Sequence, residues 1–293
     1  MNEPHPDYNS PISLKTFLDA NGMAMQKKFG QNFLVNSTAR KQLINYLDIK
    51  DSTSVWEVGP GLGSMTDEIL TRGATLSVFE IDRGFASFIR RFFCDFISSG
   101  KLQVIEGDVL KTWKKQQETA GIPDRFFGNL PYNIAASIIG DTIEAGIRFD
   151  KAVVTVQKEV AQRMTAAPGT EDYSAFSVLC QWAYDIKPVL DLAGGNFWPR
   201  PNVDSRAVLM TRKNDFPVCR NPDLFVKLEH ALFVSRRKTV KNNLTVFLAD
   251  STAASKILAD TGIDPMKRAE NLSVTELLSL SDITDDAIIS RKA

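Results

Sequence analysis

The feature that most constrains this chain is an alternation that begins near residue 53. Short apolar runs, SVWEV (54–58), TLSVFEI (75–81), KLQVIEG (101–107), RFFGNL (125–130) and AVVTVQ (152–157), are separated by stretches with helical spacing, MTDEILTR, FASFIRRFFCDFI and IAASIIGDTIEAG. Strands at this interval with helices between them predict an α/β fold with a doubly wound, mostly parallel sheet. AFSVLCQWAYD, from 175, predicts a helix. Two more strand-like runs, around 186–192 and 206–212, flank GGNFWPRPNVDS and predict an antiparallel end to the sheet. KNDFPVCRNP (213–222) carries two prolines and marks a domain boundary. Beyond it every periodic run is helical, and the last, SVTELLSLSD, starts at the N-cap candidate Ser273. Upstream, residues 1–12 hold three prolines and no period, which predicts a loose leader before a short helix at 13–20 that stops at Asn21-Gly22. TARKQLINYLDI predicts another helix before the first strand. The expected division is a leader over 1–22, an α/β domain over 23–213 and a small all-α domain over 214–293.

Composition limits the partners. The chain has 35 basic and 35 acidic residues among 293, so any nucleic-acid binding must use local basic patches. No stretch nears the roughly 18 apolar residues that span a membrane, and the first residues lack the basic and apolar regions of a secretory signal. Cys94, Cys180 and Cys219 are scattered, and His5 and His230 are too few and too distant for a metal site, so no metal is expected. A reduced, cytoplasmic protein follows, and nothing in the sequence calls for more than a monomer.

Four strand ends carry the chemistry. WEVGPGLGSMT (56–66) follows a strand and opens a helix. Gly59, Gly61 and Gly63 allow a sharp turn and close approach of a ligand to the backbone, and their GxGxG spacing differs from the pyrophosphate fingerprint. A cofactor without a diphosphate, such as S-adenosylmethionine, suits it; a plain tight turn is the alternative. Glu80 lies 21 residues after Gly59, where a carboxylate meets ribose hydroxyls, with Asp82 as the fallback. Asp108, in EGDV, is placed either to accept from an adenine amine or to cap a helix. GNLPYNI (128–134) is the most specific. The Asn129 side-chain oxygen, with the Leu130 or Pro131 carbonyl, offers two acceptors to an aromatic amine, and Tyr132 offers a stacking face to a flipped base.

Taken together, FGQNFL, GPGLG, the acidic strand end, GD, NLPYNI, QKEVAQR and FWPRPNVDS resemble the rRNA adenine N6-dimethyltransferase family, in that order, from about Lys27 to Asp204. The likeness continues into FVSRRKTVKNNL (233–244) and RAENLSVTELL (268–278), and upstream into SLKTFLDANGMAMQKKFGQNFL, the leader of its small-subunit branch. The resemblance implies a Rossmann-like class I methyltransferase domain followed by a small helical one. It implies dimethylation of two adjacent adenosines near the 3′ end of small-subunit (16S) rRNA in an assembling 30S-type particle, with neither DNA nor membrane as a partner. By the same resemblance Asn32 and Leu34 contact the methionine end of S-adenosylmethionine, and Gly59, Gly61, Glu80, Asp108 and Asn129 bind the rest. Asn129, Leu130, Pro131 and Tyr132 form the catalytic corner, with Phe197 as the second aromatic face. Arg236, Arg237, Lys238 and Lys241 match a family motif and become RNA-phosphate contacts, although such a run is usually a solvated helix face. In this family the QNFL segment folds over the cofactor as a lid, and Lys27 and Lys28, with Arg40 and Lys41, form a second basic group near it. One departure stands out: residues 214–293 carry 11 basic and 11 acidic side chains, so the RNA footprint must be narrow. The resistance branch, which acts on large-subunit rRNA, and an assembly factor acting mainly by binding are the alternatives. A nicotinamide dehydrogenase is disfavoured by GxGxG, and a DNA adenine methyltransferase by FGQNFL and the helical tail.

Overall fold

The computed structural model describes residues 6–26, 30–131, 134–216 and 218–292. It falls into two compact units. The first comprises Met1–Ile139, Arg148–Ala161 and Lys187–Arg212; the second comprises Gly140–Ile147, Gln162–Ile186 and Lys213–Ala293.

In chain order the elements begin with α1 (Pro11–Ala20), β1 (Phe33–Leu34), α2 (Ser37–Tyr46), β2 (Ser54–Val58), α3 (Ser64–Thr71), β3 (Thr75–Glu80), α4 (Arg83–Phe92) and α5 (Cys94–Ser98). There follow β4 (Leu102–Glu106), α6 (Val109–Ala120), β5 (Arg125–Asn129), α7 (Ala135–Glu144), β6 (Lys151–Gln157), α8 (Lys158–Thr165), α9 (Ala175–Ala183) and β7 (Tyr184–Leu192). The last are β8 (Phe197–Trp198), β9 (Ser205–Arg212), α10 (Pro222–Val234), α11 (Val240–Leu248), α12 (Ser251–Thr261) and α13 (Val274–Lys292).

Seven strands form one sheet in the order β4-β3-β2-β5-β6-β9-β7. β2 pairs in parallel with β3 and β5, β3 with β4, and β5 with β6, while β9 runs antiparallel to β6. The runs that stand as parallel neighbours are rich in valine and aromatics because helices cover both faces: β2 and β6 are buried along nearly their whole length. The order of strands reverses beside β2, so the carboxyl ends of β2, β3, β4 and β5 open on one edge, where ligands of such sheets bind.

Several helices start where short polar side chains take up orphan N–H groups. Ser10 caps α1 with Pro11 in its first turn, Asn36 caps α2, Asp82 caps α4, Asp108 caps α6 and Thr239 caps α11. Ser273 and Glu276 cap α13 reciprocally, the Ser273 N–H donating to Glu276 Oε2 at 2.8 Å and the Glu276 N–H to Ser273 Oγ at 3.2 Å.

The structure departs from the sequence expectations at identifiable places. The stretch expected to be loose over 1–12 is tied down over its described part: the Tyr8 hydroxyl donates to the Leu62 carbonyl at 2.9 Å and Asn9 Oδ1 accepts from Arg40 at 2.8 Å. The helix expected at 13–20 starts at Pro11, buries Leu14 and Leu18 in the core that also holds Leu34, Leu43, Val55 and Leu62, and brings Phe17 edge-on to Phe88 at 5.3 Å. The helix expected over FASFIRRFFCDFI breaks at Phe93, whose ring fills the space beneath Gly63. α6 is not among the expected helices; its inward face carries Val109, Trp113 and a buried Gln116 that donates to Gln103 Oε1 at 2.7 Å and to Ser77 Oγ at 3.2 Å. The helical unit does not simply begin at 214. Within that unit α9 joins the tail helices because Trp182 packs on Phe216 and Phe225, with ring centres 4.5 and 4.6 Å away, and because Tyr173 donates to the Leu272 carbonyl at 2.9 Å.

Candidate active site

A cleft of about 290 Å³ opens at the carboxyl edge of β2, β3, β4 and β5 in the first unit. Its walls include Asn32 and Leu34, Gly59 and Gly61, Glu80, Asp108, Asn129 and Pro131, so the expected cofactor residues converge from five separate segments. Tyr132, Lys27 and Lys28 lie outside the described residues.

The glycine loop is built for close approach. A Cβ on Gly61 would stand 2.8 Å from the Phe33 ring, and one on Gly63 would stand 2.6 Å from the Phe93 ring; both residues also have positive φ. No larger side chain fits either position without moving a packed aromatic.

Glu80 is buried beneath this loop. Its Oε1 accepts from the Asp82 N–H at 2.8 Å and its Oε2 from the Gly61 N–H at 3.2 Å. Burial pushes its carboxyl up to about 7, against the pull of those backbone donors. Glu57, also buried, accepts from Thr66 Oγ1 at 2.7 Å, and burial raises it to about 8. The described lining thus carries Glu57, Glu80 and Asp108 and no basic residue. A described lining with three acids and no basic residue suits a ligand that brings positive charge and hydrogen-bond donors. S-adenosylmethionine fits: it brings a sulfonium and an ammonium, and its nucleoside hydroxyls and amine match strand-end carboxylates. Neither Glu57 nor Thr66 is singled out by the sequence motifs; their signal is a strand acid followed nine residues later by a hydroxyl in the first turn of α3.

Of the two readings of Asp108, the helix cap is the one the structure contains. Its Oδ1 caps α6 by accepting from the Leu110 N–H at 3.0 Å, and the residue lines the cleft. Asp82, the fallback for Glu80, is committed elsewhere. Its Oδ1 takes the Gly84 N–H at 2.8 Å, and its Oδ2 takes Gln26 Nε2 at 2.9 Å and Gln31 Nε2 at 3.3 Å.

At the end of β5, Asn129 Nδ2 donates to the Asn32 carbonyl at 2.9 Å, which leaves Oδ1 as the acceptor of that side chain. The Pro131 carbonyl already accepts from the N–H groups of Ile134 at 3.1 Å and Ala135 at 3.2 Å. Both its lone pairs are used, whereas the Leu130 carbonyl accepts no hydrogen bond from the described residues. The Leu130 side chain is core, crossing so close to Gly128 that a Cβ there would meet it at 2.5 Å. Phe197 is not on the described cleft wall. It is 5% exposed in the core, opposite Leu34 in the antiparallel β1–β8 pair.

The basic run lies between α10 and α11 in the second unit. Arg236 Nε sits 3.1 Å from Glu270 Oε2, and its Nη2 donates to the carbonyls of Glu171 at 3.0 Å and Tyr173 at 3.1 Å. Arg237 and Lys238 are exposed, and Lys241 is half-buried. Arg236, Arg237 and Arg268 line a second cleft of about 350 Å³ with Gly169, Thr170, Glu171 and Glu270.

Comparison with known proteins follows the same lines as the geometry. A ribosomal RNA small subunit methyltransferase A of Treponema denticola is 48% identical, over 95% of this chain and 96% of its own length. The protein of the same description in Borreliella burgdorferi is 37% identical, over 94% of each. Among solved structures, a dimethyladenosine transferase from Plasmodium falciparum superposes with a TM-score of 0.69 at 26% identity, covering 84% of this chain and 94% of that one. The 23S rRNA methyltransferase ErmE shares the fold, with a TM-score of 0.62 at 20% identity. The family model described as "Ribosomal RNA adenine dimethylase" matches residues 22–286, and so the chain belongs to that family of S-adenosylmethionine-dependent enzymes.

Proposed function

We propose that this chain transfers methyl groups from S-adenosylmethionine to the N6 amines of two adjacent adenosines near the 3′ end of small-subunit rRNA, acting as a cytoplasmic monomer on a subunit still in assembly. The observation that carries this reading is the corner at the end of β5. There the Asn129 amide, oriented by the Asn32 carbonyl, stands at the cleft that the glycine loop and Glu80 also line. An exocyclic amine on adenine is a weak nucleophile because its lone pair is delocalised into the ring. Asn129 Oδ1 and the Leu130 carbonyl form an acceptor pair for its two hydrogens and favour a more tetrahedral nitrogen. S-adenosylmethionine supplies the electrophilic methyl group. The chain's own residues hold the two reactants in line: Glu80 and Asp108 on the nucleoside, Asn32 and Leu34 over the methionine end, Asn129 between cofactor and amine. The nitrogen loses its proton after transfer, so the cleft needs no general base. The second round presents one N–H instead of two, and a single acceptor then suffices.

Tyr132 stacks on the flipped base in this reading, and Phe197 backs the cleft from behind Leu34. One base in a pocket does not select one rRNA site, so selection falls to shape and phosphate contacts at a distance. Arg237, Lys238 and Lys241 of the helical unit, with Arg236 beside them and Lys27 and Lys28 near the lid, are the residues for that task. The test is to incubate small-subunit particles lacking the modification, and separately large-subunit rRNA, with the protein and to map N6,N6-dimethyladenosine by mass. Dimethylation of the small subunit by the wild-type chain and none by Asn129→Ala is the expected result. Preferential modification of large-subunit rRNA would overturn it.

A further inference from the structure

The basic residues near the lid include one that is not available to RNA. Arg40, in α2, is 6% exposed. Its Nη1 donates to the Leu34 carbonyl at 2.7 Å, and its Nη2 donates to Asn9 Oδ1 at 2.8 Å. The guanidinium carbon lies 5.9 Å from the centre of the Tyr8 ring, within cation–π range. Tyr8 reaches onward: its hydroxyl donates to the Leu62 carbonyl at 2.9 Å, across 54 positions of sequence. Leu62 is the residue after Gly61 in the glycine loop. Leu34 lines the cofactor cleft and pairs with Phe197. Thus one buried guanidinium joins the leader to the strand over the cleft, and one phenol joins the leader to the loop beneath it. α1 anchors the assembly from behind through Leu14 and Leu18.

We propose that Arg40 and Tyr8 are positioning residues for methyl transfer, holding the leader as a brace between the glycine loop and the Leu34 strand so that cofactor affinity depends on residues 6–20. Neither residue lines the described cleft. Arg40 acts through the carbonyl of Leu34, which lines it, and Tyr8 through the carbonyl of Leu62, next to the lining residue Gly61. A carbonyl that loses its donor lets the loop relax, and a loop that must be ordered on binding weakens the ligand. The inference rests on the cleft holding S-adenosylmethionine.

The test uses the full chain and four proteins: wild type, Tyr8→Phe, Arg40→Lys and Arg40→Met. S-adenosylmethionine binding is measured by calorimetry, melting temperature by thermal scan, and amide exchange of residues 6–20 with and without cofactor. Tyr8→Phe removes one hydrogen bond and no packing, and it should weaken cofactor binding about threefold to tenfold, the range of a single net hydrogen bond. Arg40→Met should weaken it more, and Arg40→Lys should recover part of the loss. With saturating cofactor, kcat of Tyr8→Phe should stay close to wild type while KM for the cofactor rises. Cofactor should slow exchange in the leader of the wild-type chain. If melting falls while cofactor affinity in Tyr8→Phe and both Arg40 variants matches wild type, the leader is a structural brace only and the inference fails. If the Arg40 variants lose particle binding with cofactor affinity intact, Arg40 is an RNA contact and the inference fails. If the wild-type chain binds no S-adenosylmethionine, the reading of the cleft falls first and takes this one with it. Should Arg40→Met not fold, Tyr8→Phe decides alone.

Discussion

Glu80 and Asp82 stand two positions apart and do different work. Asp82 spends both oxygens on the α4 cap and on Gln26 and Gln31. Glu80 keeps lone pairs toward the cleft, and burial holds its carboxyl at about 7 instead of 4.5. Ribose hydroxyls bind the ionised form best, so cofactor affinity should rise as pH is raised from 6 to 8. In Glu80→Gln it should be weaker by roughly 0.5–3 kcal/mol at pH 8 and lose this part of its pH dependence. Calorimetric titration across that range checks both. At this scale the sequence was informative where a motif implies chemistry. The glycines, Glu80, Asp108 and Asn129 come together because strand ends of a parallel sheet share an edge. It was silent where role depends on hydrogen-bond partners. Nothing in the string distinguishes the Leu130 carbonyl from that of Pro131, or a buried Arg40 from a solvated Lys41.

Among elements, the turn between α10 and α11 is the clearest case of a motif whose members divide their work. Asn243 of α11 donates to the carbonyls of Leu232 at 2.8 Å and Ser235 at 3.3 Å, which fixes the turn's geometry. Arg236, 47% exposed, spends its guanidinium on Glu270, Glu171 and Tyr173. Arg237 has no ion-pair partner among the described residues. Arg236→Ala should therefore lower stability by about 1–2 kcal/mol, seen as a lower denaturation midpoint. Arg237→Ala should leave the midpoint unchanged, weaken binding to small-subunit particles and flatten its salt dependence by about one counterion. Filter binding at several salt concentrations separates the two. Strands with unbroken apolar runs were legible to within a residue or two. α6 was not, because Gln116 fills a buried position with a hydrogen-bonded amide; nor was the β1–β8 ribbon, whose two residues a side are too short to show a period.

For the whole molecule, the raised carboxyls set the direction of stability with pH. Glu57 in the sheet and Glu229 in α10 lie at about 8, and Glu80 at about 7, each above an ordinary 4.5 because of burial. Across that window the folded chain keeps protons that the unfolded chain has released, so stability falls as pH rises from about 4.5 toward 8. Thermal scans of the cofactor-free protein should show a melting temperature that declines between pH 5.5 and 8.5. Glu229 is 1% exposed, and neither carboxyl oxygen has a hydrogen-bond partner among the described residues. Glu229→Gln should flatten part of the decline, stabilising the protein at pH 8.5 by roughly 1–3 kcal/mol and little at pH 5. S-adenosylmethionine should flatten the part owed to Glu57 and Glu80. The strand order has a consequence for how the chain is made. β9 enters the sheet between β6 and β7, yet it is the last of the three to be synthesised. A nascent chain that has reached residue 200 therefore carries β6 with a bare edge and β7 without its neighbour. Until Ser205–Arg212 leaves the ribosome, that edge is open to wrong pairing with β7 or with another chain, which makes this stretch of translation the interval in which the protein most needs a chaperone.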